Sequence, residues 1–312
     1  MICEASEKIS NARSSLTDYI SNTKKSQAAV AKELGVSGSI LSQFLNGTYI
    51  GSNENVAEKI YQYLAREEER KRYTATPRFT EDVINTKLVL SALNYVHSCG
   101  AMATIVGAAG CGKTTALQHY AENNSNVIYV QADATKNSPR AALKLILKEI
   151  GEKPRGTVSD ILDTLINELK GTRKLIIIDE AQHLTERSFD TLRAINDRAG
   201  VAVVYAGTPD IRNRMIGRKS EELDQVYSRI GYDCELKNRY KLEEIQSVFK
   251  DFNLDKKVIK GLYNVSSRKG GLRLAINLFK LANDMATVAG EEISVKYLEI
   301  AAKHVGTGGG VF

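Results

Sequence analysis

Four short runs of apolar and β-branched residues punctuate the middle of the chain: AMATIV (101–106), NVIYVQA (126–132), KLIIID (174–179) and VAVVYAG (201–207). Each is strand length, and stretches of helical character separate them. That alternation predicts a parallel sheet covered by helices on both faces. Up to about residue 65, and again after about residue 240, the pattern is helical throughout. The charge-dense stretch REEERKRYTATP (66–77) reads as a helix end running into a linker. The expected organisation is an all-α domain over 1–66, a linker over 67–80, an α/β core over 81–240 and a helical domain over 241–312. No internal repeat is visible, and the terminal GTGGGVF is expected to be disordered.

The first apolar run leads straight into GAAGCGKTT (107–115), and TALQHYAEN follows with helical character. Strand, glycine-rich turn and helix in that order are the setting of a P-loop, here Gly107-x-x-x-x-Gly112-Lys113-Thr114. Gly107, Gly110 and Gly112 let the backbone curl until successive N–H groups point at a phosphate, and the helix N-terminus adds a favourable dipole. Lys113 is then placed to reach the β- and γ-phosphates and the Thr114 hydroxyl to bind Mg²⁺, with Thr115 beside them. The motif predicts a nucleoside triphosphate site.

KLIIIDEAQHL (174–184) supplies the companion motif, a buried strand ending in two adjacent carboxylates. Asp179 is expected to hold Mg²⁺ through water and Glu180 to polarise the attacking water. His183, one helical step on, is expected to pack or hydrogen-bond and to take no part in the chemistry.

Near the start of the chain, SQAAVAKELGVSGSILSQFLNG (26–47) has helix-turn-helix spacing. Ala31 falls at the crowded position of the first helix and Gly35 where the turn needs positive φ. Val30, Leu34, Val36, Leu41 and Phe44 fall where two helices bury apolar contacts, and Ser37 caps the second helix. Ser39, Ser42, Gln43 and Asn46 would face outward, with Ser39 and Gln43 the leading DNA contacts. The segment resembles the phage-repressor type of helix-turn-helix. Lys and Arg barely outnumber Asp and Glu in this domain, so a helical bundle used for protein contacts fits the same pattern.

Bulk properties narrow the class without choosing the function. The chain is 43% hydrophobic and 26% charged, an ordinary balance for a soluble globular protein, and its formal charge of +6 only hints at an anionic partner. MICEASEKIS has neither the basic nor the apolar region of a signal peptide, and no apolar run approaches a membrane span. Cys3, Cys99, Cys111 and Cys234 are far apart with no C-x-x-C pairing, so they read as reduced thiols of a cytoplasmic protein.

Taken together, the phosphate motifs resemble those of the AAA+ ATPases. The resemblance implies ATP and Mg²⁺ as cofactors, and a P-loop core with a C-terminal helical lid behind the helix-turn-helix domain. It also implies further roles. Thr208, after VAVVYAG, takes the place of a γ-phosphate sensor where Asn is the commoner residue. Arg229 in QVYSRIGY (225–232) takes that of an arginine finger reaching a neighbouring subunit's nucleotide, with Arg218 the runner-up. Arg273, opening a helix in RKGGLRLAINLFKLA (268–282), takes that of the lid arginine. Phe79 in TPRFTEDV (76–83) lies where these proteins wrap adenine, and is read either as a base-stacking residue or as a core aromatic.

Over roughly residues 15 to 300 the combination resembles one family, that of the phage Mu B protein and its transposition relatives. The shared features are the helix-turn-helix domain, charged linker, PRFTE, DEAQHL, SRI and the LR of the lid helix. The resemblance implies an ATP-dependent, largely non-sequence-specific DNA-binding ATPase. Such a protein forms helical filaments on double-stranded target DNA, delivers it to a cognate transposase, and is stimulated to hydrolyse ATP. Candidate phosphate contacts are Lys136 and Arg140, Lys153 and Arg155, and RNRMIGRK (212–219), with Lys136 and Arg155 foremost. Two other classes share the core: AAA+ ATPases that remodel protein partners, as in helicase loading or secretion, and nucleotide-switched helix-turn-helix transcription regulators.

Overall fold

A computed structural model describes residues 2–23, 25–72, 76–216, 221–306 and 310–311. The chain divides into two compact units, Met1–Ala75 and Thr76–Phe312. Among the described residues, no helix is long and apolar enough to cross a membrane.

The first unit consists of α1 (Ile2–Thr23), α2 (Gln27–Leu34), α3 (Gly38–Leu45) and α4 (Asn53–Arg72). Local chemistry sets the ends of the two short helices. The Ser26 hydroxyl accepts the Ala29 N–H at the start of α2, and Gly35 ends it in the left-handed region with φ 65°. Two residues later the Ser37 hydroxyl accepts the Ile40 N–H and starts α3. Leu16, Val30, Leu41, Phe44 and Ile60 are fully buried between the four helices. Arg13 Nε donates to the Phe44 carbonyl at 2.7 Å, with its guanidinium over the Phe44 ring, which fastens α1 to the end of α3. Lys25 Nζ pairs with Glu33 at 2.9 Å, and the Tyr63 hydroxyl donates to the same carboxylate at 2.6 Å, joining α2 to α4.

The second unit begins with α5 (Ile84–Cys99), β1 (Met102–Gly107), α6 (Lys113–Glu122), β2 (Val127–Gln131), α7 (Pro139–Glu149), α8 (Val158–Leu169) and β3 (Leu175–Asp179). A 3-10 turn over Ala181–His183 leads to α9 (Glu186–Ala199), β4 (Ala202–Gly207), α10 (Asp210–Ile216), α11 (Glu221–Tyr227) and β5 (Ile230–Leu236). The lid is α12 (Leu242–Val248), α13 (Lys256–Ser266), α14 (Gly271–Ala289) and α15 (Val295–Ala302).

All strand pairings are parallel, in the order β2-β3-β4-β1-β5. Alternate residues feed two cores. Met102, Ile176, Ile178, Val203 and Tyr205 pack towards α7, α8 and α9. Ala103, Ile105, Leu175, Ile177 and Val204 pack towards α5 and α6 on the other face. Two-sided burial is why the central strands read as unbroken apolar runs.

One sequence expectation changes: four strands were expected and, among the described residues, five form. β5 lies at the sheet edge and alternates exposed and buried positions, so IGYDCEL carries no continuous apolar run. The terminal segment was expected to be disordered; residues 307–309 and 312 lie outside the described residues, and of those described Val311 is buried. The Asn264 side chain donates to its carbonyl at 3.3 Å, and Arg268 Nη2 donates to the Gly310 carbonyl at 2.7 Å.

Candidate active site

The P-loop joins β1 to α6. Gly110 and Gly112 take φ values of 82° and 93°, a region that costs a residue with a Cβ about 1–2 kcal/mol. Gly107 is a glycine for lack of room: a Cβ there would lie 2.9 Å from Leu236 Cβ and 3.0 Å from Cys111 Sγ. Lys113 is 7% exposed, and its Nζ donates to the Gly107 and Ala108 carbonyls at 2.7 and 3.1 Å. Cys111 is buried beneath the loop.

The lid closes over this loop. Gly110 O accepts the Arg273 N–H at 3.3 Å, and a Cβ on Gly110 would overlap the Gly270 carbonyl. A cavity of about 350 Å³ lies between them. Gly110, Gly112, Lys113, Thr114 and Thr115 line it from the loop, Glu180 and Thr208 from the strand ends, Arg273 and Lys280 from α14. Phe79 lines it too, stacked on the His119 imidazole at 3.9 Å between centroids and packed, partly buried, against the α5–α6 core.

At the end of β3, Asp179 is fully buried. Its Oδ2 accepts the Thr114 hydroxyl at 2.8 Å and the Tyr129 hydroxyl at 3.0 Å, and its Oδ1 accepts the Glu180 N–H at 2.8 Å. Burial, then the Asp179 carboxylate, pushes the Tyr129 phenol above its usual range, which keeps it a hydrogen-bond donor. Glu180 itself sits at φ 54°, ψ 33°, a left-handed conformation that a non-glycine residue holds only when its surroundings fix it. His183 is exposed and lines no part of the cavity.

Other predicted residues lie elsewhere. Arg229 is outside the cavity and pairs with Asp197 at 3.1 Å on α9; Arg193 Nη1 holds the same aspartate at 3.0 Å. Arg218 and Lys219 lie outside the described residues. Arg140 Nη1 donates to Gly156 O at 2.7 Å, so it lies against the exposed loop that carries Lys153 and Arg155. Lys136 pairs with Asp133 at 2.7 Å. Two arginines of the 212–219 segment have internal partners: Arg212 pairs with Asp233 and Glu235 on β5, and Arg214 donates to the Gln182 and Leu184 carbonyls. In the first unit, Ser39 and Gln43 are exposed on α3, with Ser39 Oγ 2.9 Å from Ser37 Oγ.

Three polar residues at the site escaped the sequence reading. Tyr129 is one. Asn85, 3% exposed on α5, donates to Cys111 O at 3.1 Å and to Lys237 O at 3.0 Å. Gln182 contacts both Glu180 and Thr208. Only Gln182 carried a sequence signal, a carboxamide two residues past the second carboxylate.

Residues 97–215 match the family model described as an AAA domain, and residues 228–305 match that of the Mu B transposition protein, C terminal. The chain is similar to the Mu-like prophage FluMu DNA transposition protein B of Haemophilus influenzae, 29% identical over 277 residues, covering 86% of this chain and 95% of that protein. It is also similar to the ATP-dependent target DNA activator B of Escherichia phage Mu, 26% identical over 301 residues, covering 95% and 96%. Among solved structures, the Aeropyrum pernix ORC2 protein in ADPNP–ADP complexes matches with a TM-score of 0.55 and 21% identity, over 76% of this chain and 71% of that one. That likeness is one of fold.

Proposed function

We propose, for a chain that belongs to the Mu B family of transposition proteins, an ATPase that activates target DNA for transposition and holds that DNA largely without regard to sequence. The observation that carries this reading is the convergence of Lys113, Thr114, Glu180 and Arg273 on one cavity, with the buried Asp179 hydrogen-bonded to Thr114 behind it. In hydrolysis a water oxygen forms a bond to the γ-phosphorus, the bond to the leaving ADP oxygen breaks, and the water's proton is released. Lys113 and Arg273 would offset the charge on the phosphates, Glu180 would orient the water, and Thr208 would sense the γ-phosphate.

A hydroxyl and a carboxylate 2.8 Å apart at the P-loop suit Mg²⁺, which takes few protein ligands and completes its shell with water and phosphate oxygens. Thr114 and Asp179 would hold it, and it would supply charge neutralisation at the β- and γ-phosphates.

DNA contact is assigned to the Lys136, Arg140 and Arg155 neighbourhood, with α2 and α3 as a helix-turn-helix whose Ser39 and Gln43 face the duplex. Arg229 is assigned to the neighbouring subunit's nucleotide in a filament. The cognate transposase is the partner and the bacterial cytoplasm the setting. Electron microscopy and salt titrations on two unrelated duplexes, with ATP and with ADP, test the reading. ATP-dependent filaments on both, with affinity falling steeply with salt, are expected; binding to one duplex alone without ATP would overturn it.

A further inference from the structure

Gln182 stands in the turn after β3, two residues beyond Glu180. Its Nε2 donates to Glu180 Oε2, and its Oε1 accepts the Thr208 N–H at 3.1 Å. The amide's orientation follows from its partners, because an ionised carboxylate only accepts and a backbone N–H only donates. One side chain thus spans the end of β3 and the first residue after β4, two neighbouring strands.

Its seat is shaped for it. A Cβ on Gly207 would fall 2.0 Å from Gln182 Oε1, so a side chain there would push the amide out of its seat. From α10, Arg214 Nη1 and Nη2 donate to the Gln182 and Leu184 carbonyls, each at 3.0 Å, which fixes the backbone of the turn.

We propose that Gln182 is a positioning residue for hydrolysis. It holds the Glu180 carboxylate in register with Thr208, so that both groups address the same water. The inference rests on the reading of Glu180 as the group that orients this water. Gln182 needs no contact with nucleotide for this role. Its loss therefore moves turnover and leaves binding alone.

The test uses the full chain with Gln182→Met, which keeps length and loses both hydrogen bonds, and with Gly207→Ala and Glu180→Gln. Gln182→Met should lower kcat about 10- to 100-fold, the range for residues that orient a reacting group from behind, with ATP affinity within about threefold of the parent. Gly207→Ala should do the same by displacing the amide. Combining it with Gln182→Met should cost no more than either alone, since both remove one bridge.

Parental kcat in Gln182→Met, or equal losses in kcat and affinity, would each overturn the proposal. If Glu180→Gln is inactive while Gln182→Met is not impaired, the positioning role alone fails. If Glu180→Gln turns over normally, the reading of Glu180 fails and the positioning role falls with it.

Discussion

Gly110 O accepts the Arg273 N–H at 3.3 Å, so the phosphate loop and the first turn of the lid helix are in backbone contact. A Cβ on Gly110 would overlap the Gly270 carbonyl and would have to adopt φ 82°. Gly110→Ala should therefore lift the lid and deform the loop together. The expected fall in kcat/KM for ATP is about tenfold or more, since about 1.4 kcal/mol is a factor of ten. Steady-state kinetics check it, and parental kcat/KM would refute the coupling.

Lys113→Ala should abolish nucleotide binding. The ammonium is already held in the loop by the Gly107 and Ala108 carbonyls, aimed where phosphates would sit. Titration with a fluorescent nucleotide on a folded variant is the measurement; undiminished affinity would sink the assignment. ATP-dependent DNA binding should disappear with it.

Glu180→Gln and Arg229→Ala should both slow hydrolysis, by different routes. The first keeps Lys113, Thr114 and Asp179 and so keeps nucleotide, which should leave DNA-bound assemblies long-lived. The second removes a side chain that is outside its own cavity and paired with Asp197. In a mixture, a Glu180→Gln subunit can lend Arg229 to an Arg229→Ala neighbour that has kept Glu180. More hydrolysis than either variant gives alone is expected. No recovery despite co-assembly would rule out action in trans.

Acid should weaken the first unit through Glu33. Hydrogen bonds from Tyr63, then Lys25, hold this carboxyl below its ordinary value of 4.5. A depressed carboxyl adds stability above its unfolded pKa and loses it as pH falls through the lower folded value, so the loss belongs below about pH 4.5. Glu33→Gln should flatten that acid limb. Hydrogen exchange of the α2 and α4 amides in the full chain checks it, and an unchanged pH dependence would remove Glu33 from the account.

Much of the fold was legible because the chain repeats what the physics requires. Central strands buried on both faces must be largely apolar, and LIII (175–178) and AVV (202–204) are, with Asp179 closing β3 where the sheet meets the site. β5 was hidden because an edge strand needs only half its side chains inside. The nucleotide loop was visible because its residues are contiguous. Asn85 was not: its partners Cys111 and Lys237 lie 26 and 152 residues away, and nothing local marks an asparagine in an α5 turn as a bridge.

That bridge makes the lid a lever. Asn85 pins Cys111 of the loop to Lys237, where the chain leaves the sheet for α12, and α14 returns to touch Gly110 next door. The Asn85 end is buried, and parting it would strand polar groups at about 1–3 kcal/mol each. The Gly110 end is one backbone contact at a half-buried residue that lines the cavity, so water can replace it. The fulcrum is therefore at Asn85 and the free end at Arg273. A lid that turned about Asn85 would part from the loop at Arg273 first.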